Sequence, residues 1–266
     1  MDEDYGLALT NNSKASWAFS LPRSKTCIMA TSVCKKLCYG NGIRYQSAPQ
    51  KEKRERNYRT VKLLLQNGGP PLLAENLVAL IDQARPSDWL AASVTGRKTK
   101  TPWTIRIHDT GDFDADSEYV EAWRLAMIER PHCSFWFYTR SFREQRLFDA
   151  LTQLASLPNC QGWLSIDSEN YSAGLLAYAQ HPEVWKLAFL QEDQESLDKD
   201  LLPQVAAAGK SKDIVSFPYH RGGYHVEPIH QSGVFTCPAV LGVYKLEANA
   251  SNVRPCQACS FCLPHK

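Results

Sequence analysis

The sequence predicts an α/β protein: a partial βα barrel with a cysteine-rich C-terminal appendage. Three observations carry that expectation. From residue 103 onward β-rich runs alternate with helical patterns, as in parallel strands joined by crossover helices. Polar residues follow each run directly, where such folds place their ligands. Seven of the nine cysteines fall in two groups, one near each end of the chain.

The chain has 266 residues. That length suits one large domain, or one domain with a small appendage. The division expected is 1–230 for the barrel with its N-terminal cysteine loop, and 231–266 for a metal-binding tail. Lys plus Arg is 30 against 28 for Asp plus Glu, a net charge of +2. This composition excludes a disordered, fibrous or highly charged chain, and gives no strong prior for nucleic acid or membrane. The start, Met1-Asp2-Glu3-Asp4-Tyr5, is acidic, unlike a signal peptide. No apolar run approaches the ~20 residues of a membrane helix. A cytoplasmic protein with no membrane partner is expected. Reduced thiols there point to metal or redox chemistry rather than disulfides.

In chain order, residues up to about 22 show no clear period, and 27–42 form a cysteine- and glycine-rich loop. Residues 51–66, KEKRERNYRTVKLLLQ, read as a charged helix that stops at Asn67-Gly68-Gly69-Pro70-Pro71. A second helix spans 72–84, with Leu72, Leu73, Leu77, Leu80 and Ile81 on one face. Strands follow at 103–109, 134–139, 162–167, 185–190 and 213–217. Helices alternate with them around 116–129, 142–156 and 171–180, with a weaker one after 190. Five strands, or six with one beside the cysteine loop, fit an open sheet or a partial barrel. The tail from about 231 reads as irregular and held by metal.

The strand ends carry His108, Asp109, Thr110, Gly111 and Asp112, then Thr139, Arg140 and Ser141, then Asp167 to Asn170. Gln191 and Glu192, and Tyr219 to Arg221, complete the series. Together these loops are expected to form a site. Asp109, Asp112, Asp114 and Asp116 lack EF-hand spacing. Asp112 is expected to touch a ligand, the others to start a helix.

Cys256, Cys259 and Cys262 form C-x2-C-x2-C, a run that grips 4Fe–4S clusters in ferredoxins, and Cys237 is the natural fourth donor. The alternative is a zinc site with four cysteines. The first group, Cys27, Cys34 and Cys38, has no obvious fourth cysteine. It leaves either an open iron or a zinc site completed by His108, His220, His225 or His230. Cys133 and Cys160 read as small buried apolar residues.

The order of motifs resembles the radical S-adenosylmethionine superfamily. There a three-cysteine loop opens a partial barrel and holds a cluster that cleaves S-adenosylmethionine reductively. Thr110-Gly111-Asp112-Phe113 resembles its Gly-Gly-Glu turn, Tyr138-Thr139-Arg140-Ser141 its next strand end, and Leu164-Ser165-Ile166-Asp167 a Ser-Leu-Asp-like run. The family's loop is C-x3-C-x2-C, where this one is C-x6-C-x3-C. The resemblance implies Cys27, Cys34 and Cys38 on the reactive cluster and the tail cysteines on an auxiliary one. It implies Thr110, Gly111, Asp112, Thr139 and Ser165 around S-adenosylmethionine, Asp112, Arg140 and Asp167 in catalysis, and an electron donor and an unspecified substrate as partners. The pattern CYG-x-G-x-x-Y, with RIHDTGDF, FYTRS and the cysteine tail, also resembles a gene-product-eighty-eight-like family of phage and plasmid proteins. That likeness implies a mobile-element origin and supplies no reaction.

Lys51, Lys53, Arg54, Arg56, Arg59 and Lys62 face only Glu52 and Glu55 over twelve positions. A solvated helix face is the default reading. The sharper one is a DNA or RNA contact through Lys51, Arg54, Arg56 and Arg59, helped by a second basic loop at Arg97, Lys98 and Lys100. A non-enzymatic iron–sulfur or zinc protein binding nucleic acid is therefore the rival to the enzyme.

Overall fold

A computed structural model describes residues 6–12, 14–89, 101–192, 195–210, 212–221, 224–241 and 254–264. The expected basic loop at Arg97–Lys100 lies outside the described residues. Among those described, no helix is long and apolar enough to cross a membrane.

Two short strands, β1 (Thr10–Asn12) and β2 (Ser16–Phe19), occupy the segment that has no sequence period. At three and four residues they are too short to show one. Asn12 makes their turn, its Oδ1 accepting from Lys14 N at 2.8 Å and Ala15 N at 3.0 Å. Three short helices carry the cysteine loop: α1 (Arg23–Thr26), α2 (Ser32–Leu37) and α3 (Ile43–Gln46). Then α4 (Ala48–Gln83) runs through a break at Gly69, where φ is +64°. The predicted stop is therefore real, but the second helix resumes at once, because proline suits a first helical turn.

The expected alternation follows. It consists of β3 (Thr104–Ile107), α5 (Ser117–Glu129), β4 (Ser134–Thr139), α6 (Gln145–Ala155), β5 (Cys160–Ile166), α7 (Tyr171–Gln180), β6 (Trp185–Gln191), α8 (Glu195–Ala208) and β7 (Ile214–Pro218). A hairpin of β8 (His220–Arg221) and β9 (Tyr224–His225) leads to β10 (Phe235–Thr236) and α9 (Pro255–Cys259). The main sheet has eight strands in the order β1 to β7, then β10. Every neighbouring pair is parallel except β1 with β2. β1 and β10 are its edges, so the described sheet is open and mostly parallel.

The strand order is consecutive, so right-handed crossovers put the helices on one face. That face is the main core, where Ile105, Ile107, Phe135, Phe137, Leu164, Ile166, Leu187 and Phe189 meet helix residues such as Trp123, Leu151 and Leu202. Alternate residues point the other way. Trp136, Trp163, Ala188 and Val215 are buried there beneath Phe235, Cys237, Phe261, Cys262 and Leu263. The tail is thus the cover of the second face, and β10 extends the same sheet.

Gly162 on β5 marks a close approach. A Cβ there would stand 2.5 Å from the Trp185 ring and 2.8 Å from Ala155 Cβ. Trp185 cannot retreat, since it is stacked on Phe148 and meets the edge of Phe137. Gly162→Ala is expected to cost about 1–3 kcal/mol by overpacking. Thermal unfolding that leaves the midpoint unmoved would refute it.

Candidate metal centre at the strand ends

The cysteine loop is docked on the carboxyl ends of β3, β4 and β5. Thr31 is the hinge of that docking. Its hydroxyl accepts from Cys34 N at 3.0 Å, capping α2, and donates to Asp167 Oδ2 at 2.6 Å. Arg140 Nη1 donates to the same carboxylate oxygen, and the pair is almost wholly buried. Ser32 N donates to Glu169 Oε2 at 2.9 Å, and Arg143 Nη2 to the Met29 carbonyl at 2.5 Å. The loop is therefore held by the end of β5 and the turn after β4 together.

Asp112 sits beneath this. It accepts from Thr139 Oγ1 at 2.8 Å, from Arg140 N at 2.9 Å and from Phe113 N at 2.9 Å. Burial pushes its carboxyl up, and those donors pull it part of the way back. Gly111, at φ +94°, is required because a Cβ would stand 2.9 Å from both the Leu21 carbonyl and Thr26 Oγ1. Thr110 Oγ1 donates to that Leu21 carbonyl at 3.2 Å. Asp112, Thr139, Arg140 and Asp167 thus form one connected network with Thr31, and Gly111 and Thr110 seat the loop behind it. Ser165 is not among these contacts; it stands on β5 two residues before Asp167, paired with Ala188.

The thiols form two sets. Burial raises Cys27, and the charges of Asp112, Cys34 and Cys38 raise it further. Burial also raises Cys34, which Arg140 pulls down and Cys38 pushes up. In the tail, burial brings Cys256 to about 11, with Arg106 lowering it and Cys237 and Cys259 raising it. Burial raises Cys262 most, against a hydrogen bond from Tyr138 Oη to its Sγ at 3.0 Å. Among the described residues no three His, Cys, Asp or Glu side chains converge as ligands of a single metal ion. Cys133 and Cys160 are fully buried apart from both sets, as expected.

Arg106, which sequence reasoning missed, stands between the sets. Its Nη2 donates to Tyr39 Oη at 2.8 Å and its Nη1 lies 3.2 Å from Asp109 Oδ1. Its guanidinium lies 5.7 Å from the Tyr39 ring centre and 5.1 Å from that of Tyr138. A path of side chains thus runs from Tyr39, beside Cys38, through Arg106 and Tyr138 to Cys262. The available signal was an arginine flanked by Ile105 and Ile107 on a strand whose other face is core.

Three expectations are corrected. His108 is not placed to complete a zinc site. Its φ of +60° turns the ring into the helix-side core, against Phe113, with Nε2 at 2.8 Å from Tyr119 Oη. Burial, with Arg106 adding to it, lowers it to about 3. Among the helix-start aspartates only Asp116 caps α5, while Asp109 pairs with Arg106 and Asp114 with Lys62 at 2.8 Å. The tail is not wholly irregular, since β10 and α9 are regular. His225 and His230 are exposed.

The basic run is divided rather than shared. Arg54 is buried near Lys51, Arg56 is half-buried, and Arg59 pairs with Glu52 at 2.9 Å. At the end of β6, Glu192 accepts from Ser168 Oγ at 2.5 Å. Its charge adds to burial in raising Asp198 to about 7. The folded value lies above the unfolded one, so the protein loses stability as pH rises from about 4 through 7. Asp198→Asn should therefore raise the melting temperature more at about pH 8 than at about pH 5. An equal rise at both would remove this assignment.

A family model described as Gene product 88 matches residues 4–265. No curated protein and no solved structure matches the chain.

Proposed function

The chain belongs to the Gene product 88 family, a description that names no reaction, and from that premise we propose an iron–sulfur enzyme of radical S-adenosylmethionine type, carried by a phage or plasmid. One observation carries the reading: two separate sets of half-buried thiols, one at the carboxyl ends of parallel strands and one in the tail that covers the sheet's second face. Partial burial makes Cys27, Cys34, Cys237, Cys256 and Cys262 harder to ionise, an arrangement that a bound metal reverses by taking them as thiolates. The donor set is sulfur throughout, which fits iron–sulfur clusters or zinc. The consecutive strand order also supports a partial barrel.

Cys27, Cys34 and Cys38 would hold the reactive 4Fe–4S cluster, and Cys237, Cys256, Cys259 and Cys262 the auxiliary one. With three thiolates, the first cluster would keep one iron open and supply an electron to S-adenosylmethionine bound there. This chain's own residues then have definite tasks. The Thr31, Arg140 and Asp167 contacts orient the loop. Asp112, with Thr110, Gly111 and Thr139 beside it, would offer buried charge and hydrogen bonds toward the ligand's ammonium, and Ser165 on β5 would line the same ligand. The tail keeps water from the second face.

The test is anaerobic purification followed by iron, sulfide and zinc analysis. About eight irons per chain with equal sulfide are expected if both sites hold 4Fe–4S clusters. Reduced protein should release 5′-deoxyadenosine from S-adenosylmethionine, and Cys34→Ala should abolish this. Stoichiometric zinc without acid-labile sulfide would instead favour the structural zinc protein.

A further inference from the structure

A cavity of about 380 Å³ lies between the cysteine loop and the first turns of α4. Arg23, Lys51 and Arg54 line it, with Gly40 and Thr110 of the metal-centre region as part of its wall. The only acid in that lining, Glu55, is already paired with Lys25 Nζ at 2.7 Å. Arg54 is 8% exposed and held in place, its Nη2 donating to the Tyr45 carbonyl at 2.6 Å. Burial lowers its pKa, Asp109 and Tyr45 act the other way, Arg23 adds to the lowering and Glu55 offsets it. Two guanidiniums and an ammonium therefore share a recess with one acid, which Lys25 also pairs with, an excess of positive charge that an oxyanion relieves. Gly40 leaves the space open: a Cβ there would come within 3.3 Å of Cys38 Sγ and of Thr110.

The charge does not continue as a track for a nucleic acid strand. Further along α4, Arg59 is paired with Glu52, and Lys62 lies 2.8 Å from Asp114 and 2.9 Å from Asp116. The unspent positive charge is concentrated in a recess whose volume is at the lower end for small-molecule pockets. We propose that this pocket binds a small phosphorylated molecule, with its phosphate held by Arg23, Lys51 and Arg54. The proposal is independent of what the cysteines bind.

Isothermal titration of the full-length protein with pyrophosphate tests it, with a short single-stranded DNA as the second arm. Saturable pyrophosphate binding is expected, weakened about tenfold or more in Arg23→Ala and in Lys51→Ala and unchanged in Arg59→Ala. Melting temperatures of the variants check that the fold is kept, and having two independent variants guards against one that fails to fold. Three outcomes would overturn the proposal. One is no saturable binding up to about 10 mM pyrophosphate. Another is equal affinity in wild type and both pocket variants. The third is DNA binding tighter than pyrophosphate and lost in Arg59→Ala as well, which would return the surface to a nucleic acid strand.

Discussion

Arg140→Ala is expected to destabilise the protein by about 3–5 kcal/mol, the cost of leaving one member of a buried ion pair without its partner. Asp167 has no exposed surface, and Arg140 supplies the cation that faces it. Thr31 and the Glu169 N–H still donate to Asp167, but two neutral hydrogen bonds cannot replace a charge in a site closed to water. The backbone N–H of Arg140 continues to serve Asp112, so the variant isolates the side chain. Replacing both partners, as Arg140→Leu with Asp167→Leu, should recover much of the loss, because no charge is then stranded. Urea unfolding of the three proteins is the measurement. A loss under about 1 kcal/mol in Arg140→Ala would mean the pair is hydrated, as exposed pairs are. The same variant should loosen the cysteine loop and, on the proposed reading, lower the iron content of the protein.

On the proposed reading, Cys262→Ala is expected to remove the metal of the tail site and expose the second face of the sheet. Cys262 lies where the tail meets the sheet, accepting from Tyr138 Oη through sulfur and from Trp163 Nε1 through its carbonyl at 3.1 Å. If both sites hold 4Fe–4S clusters, iron should fall by about half. The emission of Trp163, now fully buried, should shift toward that of a hydrated indole as the tail lifts. Cys160→Ala is the matched control: it removes a buried thiol outside both sets, and its iron content should equal the wild type's. Unchanged iron in Cys262→Ala would reject the tail as a metal site, whatever the fate of the fold.

The local pattern of the chain determined much of this protein. Runs such as WTIRIH and SFWFYT are apolar and β-rich over a few neighbours, so they specify strands without outside help. Gly69 followed by two prolines interrupts a helix wherever it occurs. The cysteine spacings are equally local, and they separated the two thiol sets from Cys133 and Cys160. Tertiary structure decided the rest. β10 is two residues long and exists because β7 offers an unpaired edge. β1 and β2 are similarly too short to declare themselves. The direction of His108 depends on one backbone angle, and a neighbouring polar strand end gave no sign that this ring would enter the core. The contacts of Arg140 with Asp167 and Thr31 cross sequence separations of 27 and 109 residues. Arg106 meets Tyr39 67 residues away. Periodicity reports only which face of its own element a residue occupies; the register between strands and the docking of the loop and tail set what that face meets.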